Sequence, residues 1–171
     1  MEYFVIFLFA CVAVYVMMDD LYRRGECQAL PCIKNKKLYY LIQFTWGLPM
    51  NIIGVIVAGA MILCGRRPVR YGYGWCFERE GNWGLELGIF FIAPPNSTHT
   101  KNHELGHGIQ NIYFGPFTMF VVSIPSLCRF WWRIIMMKLG HRPKTLYDAI
   151  WFEGQATKTG TRFMSEYEKE E

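Results

Sequence analysis

The chain has 171 residues, enough for one domain with a real core and too few for two. Hydrophobic residues make up 52%, aromatics 17% and charged residues only 19%, a balance more apolar than that of an ordinary soluble domain. The formal net charge is +4, but the basic residues sit in short groups beside apolar runs, which argues against a nucleic-acid partner and for membrane-flanking loops.

Residues 3–18, YFVIFLFACVAVYVMM, form an unbroken apolar run that ends at Asp19 and Asp20. No basic residue precedes it and no small-residue cleavage site follows, so a retained membrane helix is expected rather than a secretory signal. It is a little short of the ~20 residues that span a bilayer. A polar, basic loop follows. Residues 38–65 then read as a second span, with Gln43, Thr45 and Asn51 inside it and Pro49 expected to bend it near its middle. Polar groups at that depth face protein or a cavity, which makes WGLPMN a candidate site wall.

From residue 66 the pattern changes to glycines, aromatics and alternation. It reads as a strand, a turn near Gly81 and Asn82, and a second strand over 85–92, making one β-hairpin. Asn96, Ser97 and Thr98 are N-cap candidates for a helix that stops at Gly115 and Pro116. Residues 117–137 are long enough to span but carry Pro125, Arg129 and the cluster FWWR, which favour an interfacial or kinked, buried helix. A basic loop leads to a last helix over 145–160, and the acidic tail SEYEKEE is expected to be solvated. The six cysteines include none in CxxC spacing; Cys27 and Cys32 share a loop, but buried or lipid-facing thiols are the simpler expectation.

The chemistry concentrates in NSTHTKNHELGHGIQN. Three of the four histidines, His99, His103 and His107, recur there every four residues. His103 to His107 is an HExxH sequence. On a helix, positions i and i+4 share a face, so both imidazoles reach one tetrahedral ion. Glu104, beside the first histidine, is then angled toward the open coordination position, where it takes a proton from an activated water. Gly106 fits a close approach by a strand or a substrate. The competing reading is a polar helix face with no metal.

On these residues the sequence resembles the zincins, the HExxH zinc metallopeptidases, and HELGH is a form the motif takes in several of their families. HTKNHELGHGIQN, followed by GP, IPS and WFEGQATKTG, is similar to small uncharacterised bacterial membrane proteins that carry HExxH; this second likeness covers about the last 90 residues. The resemblance implies peptide as the substrate, with the strand over 85–92 offering its edge for pairing.

A catalytic zinc needs a third protein ligand. Glu153 matches the gluzincin arrangement, in which a downstream helix contributes a glutamate. Asp148 is next, five residues earlier on the same expected helix, and His141 lies in a basic loop. His99 cannot share the ion with both other histidines, since i to i+8 spans ~12 Å; it is expected near the ligands or at the substrate. The gluzincin ExxxD pattern is not met, because Thr157 stands where the acid would be, and the partner that orients the histidines is unassigned. Gln110 and Asp148 are candidates for a place beside the ligands or at the substrate; Tyr113, Tyr147 and His141 are candidate electrophiles. If residues 117–137 crossed the membrane as one span, Glu153 would emerge opposite the motif helix, so either that segment stops short or the last helix re-enters.

The expectation is a mainly α membrane protein with two N-terminal membrane helices over residues 1–65, a β-hairpin, and a zincin-like site in an integrated region over 66–171. Zinc would be held by His103, His107 and Glu153, with Glu104 as general base. Function would be hydrolysis, of a peptide or membrane-protein substrate, by an integral protein of a bacterial cell membrane. The rival is a non-catalytic membrane protein with a structural zinc, closed by a fourth ligand such as Asp148 or His141, or with no metal.

Overall fold

The computed structural model describes residues 2–169. It is mainly helical, with six α-helices and one four-stranded mixed sheet among the described residues. The chain divides into two compact units. One comprises Met1–Gln28 with Phe117–Gly154, the other Ala29–Pro116 with Gln155–Glu171.

In the first unit, α1 (Glu2–Arg23) is longer than the apolar run, because its last turn continues through Asp19 and Asp20, which pair with Arg23 and Arg24 one turn on. Phe7 stacks on Phe117 at 5.1 Å and meets Phe120 edge-on at 5.0 Å, and Tyr15 lies against Trp151 at 5.9 Å. A π-helical turn, Met119–Ser123, leads into α5 (Ile124–Lys138). Pro125 explains the turn. It has no N–H for the carbonyl four residues back, and the wider turn accommodates its ring while the chain stays helical. Of the interfacial or kinked, buried helix expected here, burial is not found: no residue of α5 is buried, and Met119–Lys138 is one run of 20 residues, long and apolar enough to cross a membrane.

In the second unit, α2 (Lys36–Gln43) starts at Asn35, whose side chain accepts from the N–H groups of Lys37 and Leu38. The single bent span expected over 38–65 is instead two helices, α2 and α3 (Leu48–Leu63), at 92°. Pro49 again supplies the reason. In mid-helix its ring would clash with the carbonyl of Thr45, so the helix ends and restarts with proline in its first turn. The break is filled with buried amides. Asn51 Nδ2 donates to the carbonyls of Gln43 and Gly47 at 2.9 Å each, Asn111 Nδ2 donates to Gln43 Oε1 at 2.8 Å, and Gln43 Nε2 donates to the Gly108 carbonyl at 2.7 Å. These bonds tie the break to the next helix, α4 (Thr98–Phe114).

The strands are β1 (Val69–Tyr71), β2 (Gly74–Glu78), β3 (Leu85–Leu87) and β4 (Phe90–Ala93), in the order β1-β2-β4-β3. The single hairpin expected around Gly81 and Asn82 is corrected to two tight hairpins, β1-β2 and β3-β4, joined by parallel pairing of β2 with β4. Each closes over two residues led by a left-handed glycine, Gly72 at φ 54° and Gly88 at φ 74°, a conformation costly for any residue with a Cβ. Gly88 thereby divides the strand expected over 85–92. The sheet packs on α3 and α4; Asn51 Oδ1 accepts from the Ile89 N–H at 2.8 Å. The core of this unit gathers Tyr39, Tyr73, Ile89, Leu105, Ile109 and Phe163.

The last helix, α6, is Trp151–Tyr167 rather than 145–160, and it absorbs the start of the expected solvated tail. Residues 170 and 171 of that tail lie outside the described residues. The boundary between the units falls after Gly154, within this unbroken helix. All six cysteines are free thiols.

Candidate metal site

Helix α4 begins at Ser97, whose side chain accepts from the Thr100 N–H at 3.2 Å. Its central residues, His103 to Ile112, are all buried, between the sheet on one side and α6 on another. Two glycines set the second approach. A Cβ on Gly106 would overlap the Ala156 carbonyl, and one on Gly160 would overlap the Asn102 carbonyl, so α4 and α6 pack backbone to backbone. The neighbour that Gly106 admits is therefore α6 rather than a strand.

That approach brings Thr157 to His103. Its Oγ1 lies 2.8 Å from His103 Nδ1. His107 Nδ1 lies 2.8 Å from Gln110 Oε1, and Gln110 Nε2 donates to Gln155 Oε1 at 3.0 Å. Gln110 Oε1 only accepts, so His107 carries its proton on Nδ1 and presents a lone pair at Nε2. The two Nε2 atoms converge at 3.2 Å. Ligands at 2.0–2.1 Å from a tetrahedral zinc stand about 3.3 Å apart, so the imidazole pair already has the spacing of a zinc edge.

Glu153 lies on α6 one turn before Thr157, on the same face. It is fully buried, and Ser126 donates to its Oε1 at 2.6 Å. His103, His107 and Glu153 each offer a ligand atom, and all of these lie within 4.8 Å of one another. Two imidazoles and a carboxylate suit zinc and several other divalent ions. The residues present fit such an ion.

Glu104 is buried beside the pair, and its carboxylate lies where a Cβ on Gly84 would be, so the loop entering β3 passes directly over it. Glu86, on β3, is a second buried carboxylate. Burial pushes it up to about 8, against the pull of His107 and of the Gly88 N–H that donates to it; the nearby Glu104 charge raises it further.

The other expected residues fall elsewhere. His99 is exposed, its ring 6.4 Å from that of His103, and it is not part of the triad. Asp148 precedes α6 rather than lying on it; its carbonyl accepts from Tyr22 at 3.0 Å, and its carboxylate does not join the group. His141 is exposed, with Nδ1 at 3.1 Å from the Leu139 carbonyl. Tyr113 points away, donating to the Pro31 carbonyl at 2.7 Å. Tyr147 does come close, with its hydroxyl 3.5 Å from Ser126 Oγ. Gln110, expected beside the ligands or at a substrate, lies beside a ligand, against His107 Nδ1. Thr157, Ser126, Gln155 and Glu86 were missed. For Thr157 a signal existed, since it occupies the position where the resemblance calls for an acid.

No family model matches the chain, and no curated protein or solved structure matches it either. The likeness to an HExxH-type site rests on the buried His103, His107 and Glu153.

Proposed function

We propose that the protein is a membrane-embedded, zinc-dependent hydrolase, and that its substrate is a peptide segment of a membrane-associated protein. The observation that carries this reading is the 3.2 Å convergence of two imidazole Nε2 atoms whose Nδ1 atoms are both engaged, with a buried carboxylate completing the set. A structural zinc takes four protein ligands; among the described residues this group has three. That difference supports an open position and a catalytic role.

Zinc bound by these three residues would supply Lewis acidity and lower the pKa of a water to about 7. The chain supplies the rest. Glu104, held under Gly84 and next to His103, accepts the proton of the attacking water and returns it to the leaving amine. Thr157 and Gln110 hold the imidazoles in the orientation a ligand needs. Strand β3 is the sheet edge nearest Glu104, and among the described residues no strand pairs with its outer side. An extended peptide added there would run past the Glu104 carboxylate. The bilayer enters because α1 and residues 119–138 are long and apolar enough to cross it, and the bent pair α2 and α3 adds a third candidate.

The test is the metal content of detergent-purified protein, by elemental analysis, for wild type, His103→Ala, Glu153→Ala and Glu104→Gln. About one zinc per chain in wild type and Glu104→Gln, and its loss in the other two, is the expected result. Chelator-sensitive cleavage of a membrane-peptide library by wild type but not Glu104→Gln would then define the substrate. Wild type free of metal under non-stripping conditions would overturn the reading.

A further inference from the structure

The segment before α6 turns back along α5, and two arginines of that apolar helix hold it there. Arg133 Nη1 donates to the Thr145 carbonyl at 2.9 Å. Arg129 Nη2 donates to the carbonyls of Leu146 and Tyr147 at 2.9 Å each, and its Nε to that of Tyr147 at 3.2 Å. Both guanidiniums also lie over the Tyr147 ring, 5.7 Å from its centroid. Further on, Ser126 reaches Glu153 at 2.6 Å. The pairings 133 with 145, 129 with 147 and 126 with 153 describe a segment running antiparallel to α5, away from its Lys138 end.

Residues 119–138 form a 20-residue span candidate. Ser126 lies about three turns, roughly 18 Å, from its basic end at 1.5 Å per residue. That is near the middle of a hydrocarbon core about 30 Å thick. The irregular segment beside Arg133 and Arg129 lies shallower, roughly 8–14 Å from that end, and irregular backbone inside the core is tolerated only where its carbonyls find partners within the protein. A guanidinium, with five donors in a fixed fork, provides them and remains charged while doing so. Arginine within an apolar helix calls for such a function.

We propose that Arg129 and Arg133 are positioning residues for Glu153: they pin a re-entrant return segment, residues 145–147, against α5 and so deliver the start of α6 to the level of Ser126. The inference rests on the reading of Glu153 as a metal ligand. It also resolves the topological conflict in the sequence, because the chain crosses with α5 and comes back, and Glu153 does not emerge on the far side.

The test uses full-length protein in detergent: wild type, Arg129→Ala, Arg129→Lys, Arg133→Ala, and Lys138→Ala as an exposed basic control. Two quantities are read, zinc affinity by competition with a chelator and amide hydrogen exchange of the metal-free protein. Arg129→Ala should weaken zinc binding about 10-fold or more and speed exchange over residues 145–153 while leaving 99–113 unchanged. Arg129→Lys should fall between, since lysine keeps a charge over Tyr147 but cannot fork to two carbonyls. Lys138→Ala should match wild type. Arg129→Ala behaving as wild type in both readouts would overturn the proposal. If Arg129→Ala does not fold, Arg133→Ala, which loses one carbonyl bond, decides in the same way. A metal-free wild type would sink the triad reading, whereas the exchange comparison would still decide whether the arginines pin the segment.

Discussion

Thr157 meets His103 Nδ1 at 2.8 Å, in the place where an acid would be expected to hold the imidazole. A hydroxyl keeps the ring oriented without adding a negative charge, so it makes the imidazole a less basic ligand than a carboxylate partner would. Thr157→Val keeps the shape and removes the bond. Zinc affinity should fall by about 10- to 100-fold with little change in helix content, measured by chelator competition and circular dichroism. The HExxH residues were legible because their relation is local: four residues along a helix is one turn, whatever surrounds it. The partners were not. Gln110 lies three residues from His107, yet which way its amide turns is set by Gln155 on another helix.

At the scale of elements, the site depends on how closely α4 and α6 approach, and glycine sets that distance twice, at Gly106 and Gly160. Gly106→Ala would put a methyl group into the Ala156 carbonyl, which is backbone and cannot swing aside. The helices must separate, at a cost on the order of 1–3 kcal/mol for an overpacked site. Separation would carry Thr157 and Glu153 away from the imidazoles, so this variant should be both less thermostable and poorer in zinc, read from a melting curve and elemental analysis on the same preparation. The helices themselves were largely readable from caps and prolines. Pairings were less so: Gly81 and Asn82 gave as strong a turn signal as Gly72 or Gly88, and only the parallel alignment of β2 with β4 shows which glycines close hairpins.

For the molecule as a whole, the apolar surface dominates. α1 and α5 leave large side chains such as Phe4, Phe9, Leu127, Trp131 and Trp132 exposed, far more than a soluble chain presents singly. The protein should therefore stay with membranes through an alkaline carbonate wash and leave them only with detergent; release by carbonate would show that these helices do not span. The sequence by itself determined the apolar runs, the helix that carries His103, Glu104 and His107, and the residue types that suit a divalent ion, because each depends on periodicity within a few turns. Helix rise alone excluded His99; only the tertiary structure decided among Glu153, Asp148 and His141 as companion to the histidine pair. That choice depends on where α6 begins and how nearly its backbone touches α4, distances set by contacts between residues some 50 positions apart in the chain. Local pattern carries no record of such contacts, since many partners would satisfy the same helix face.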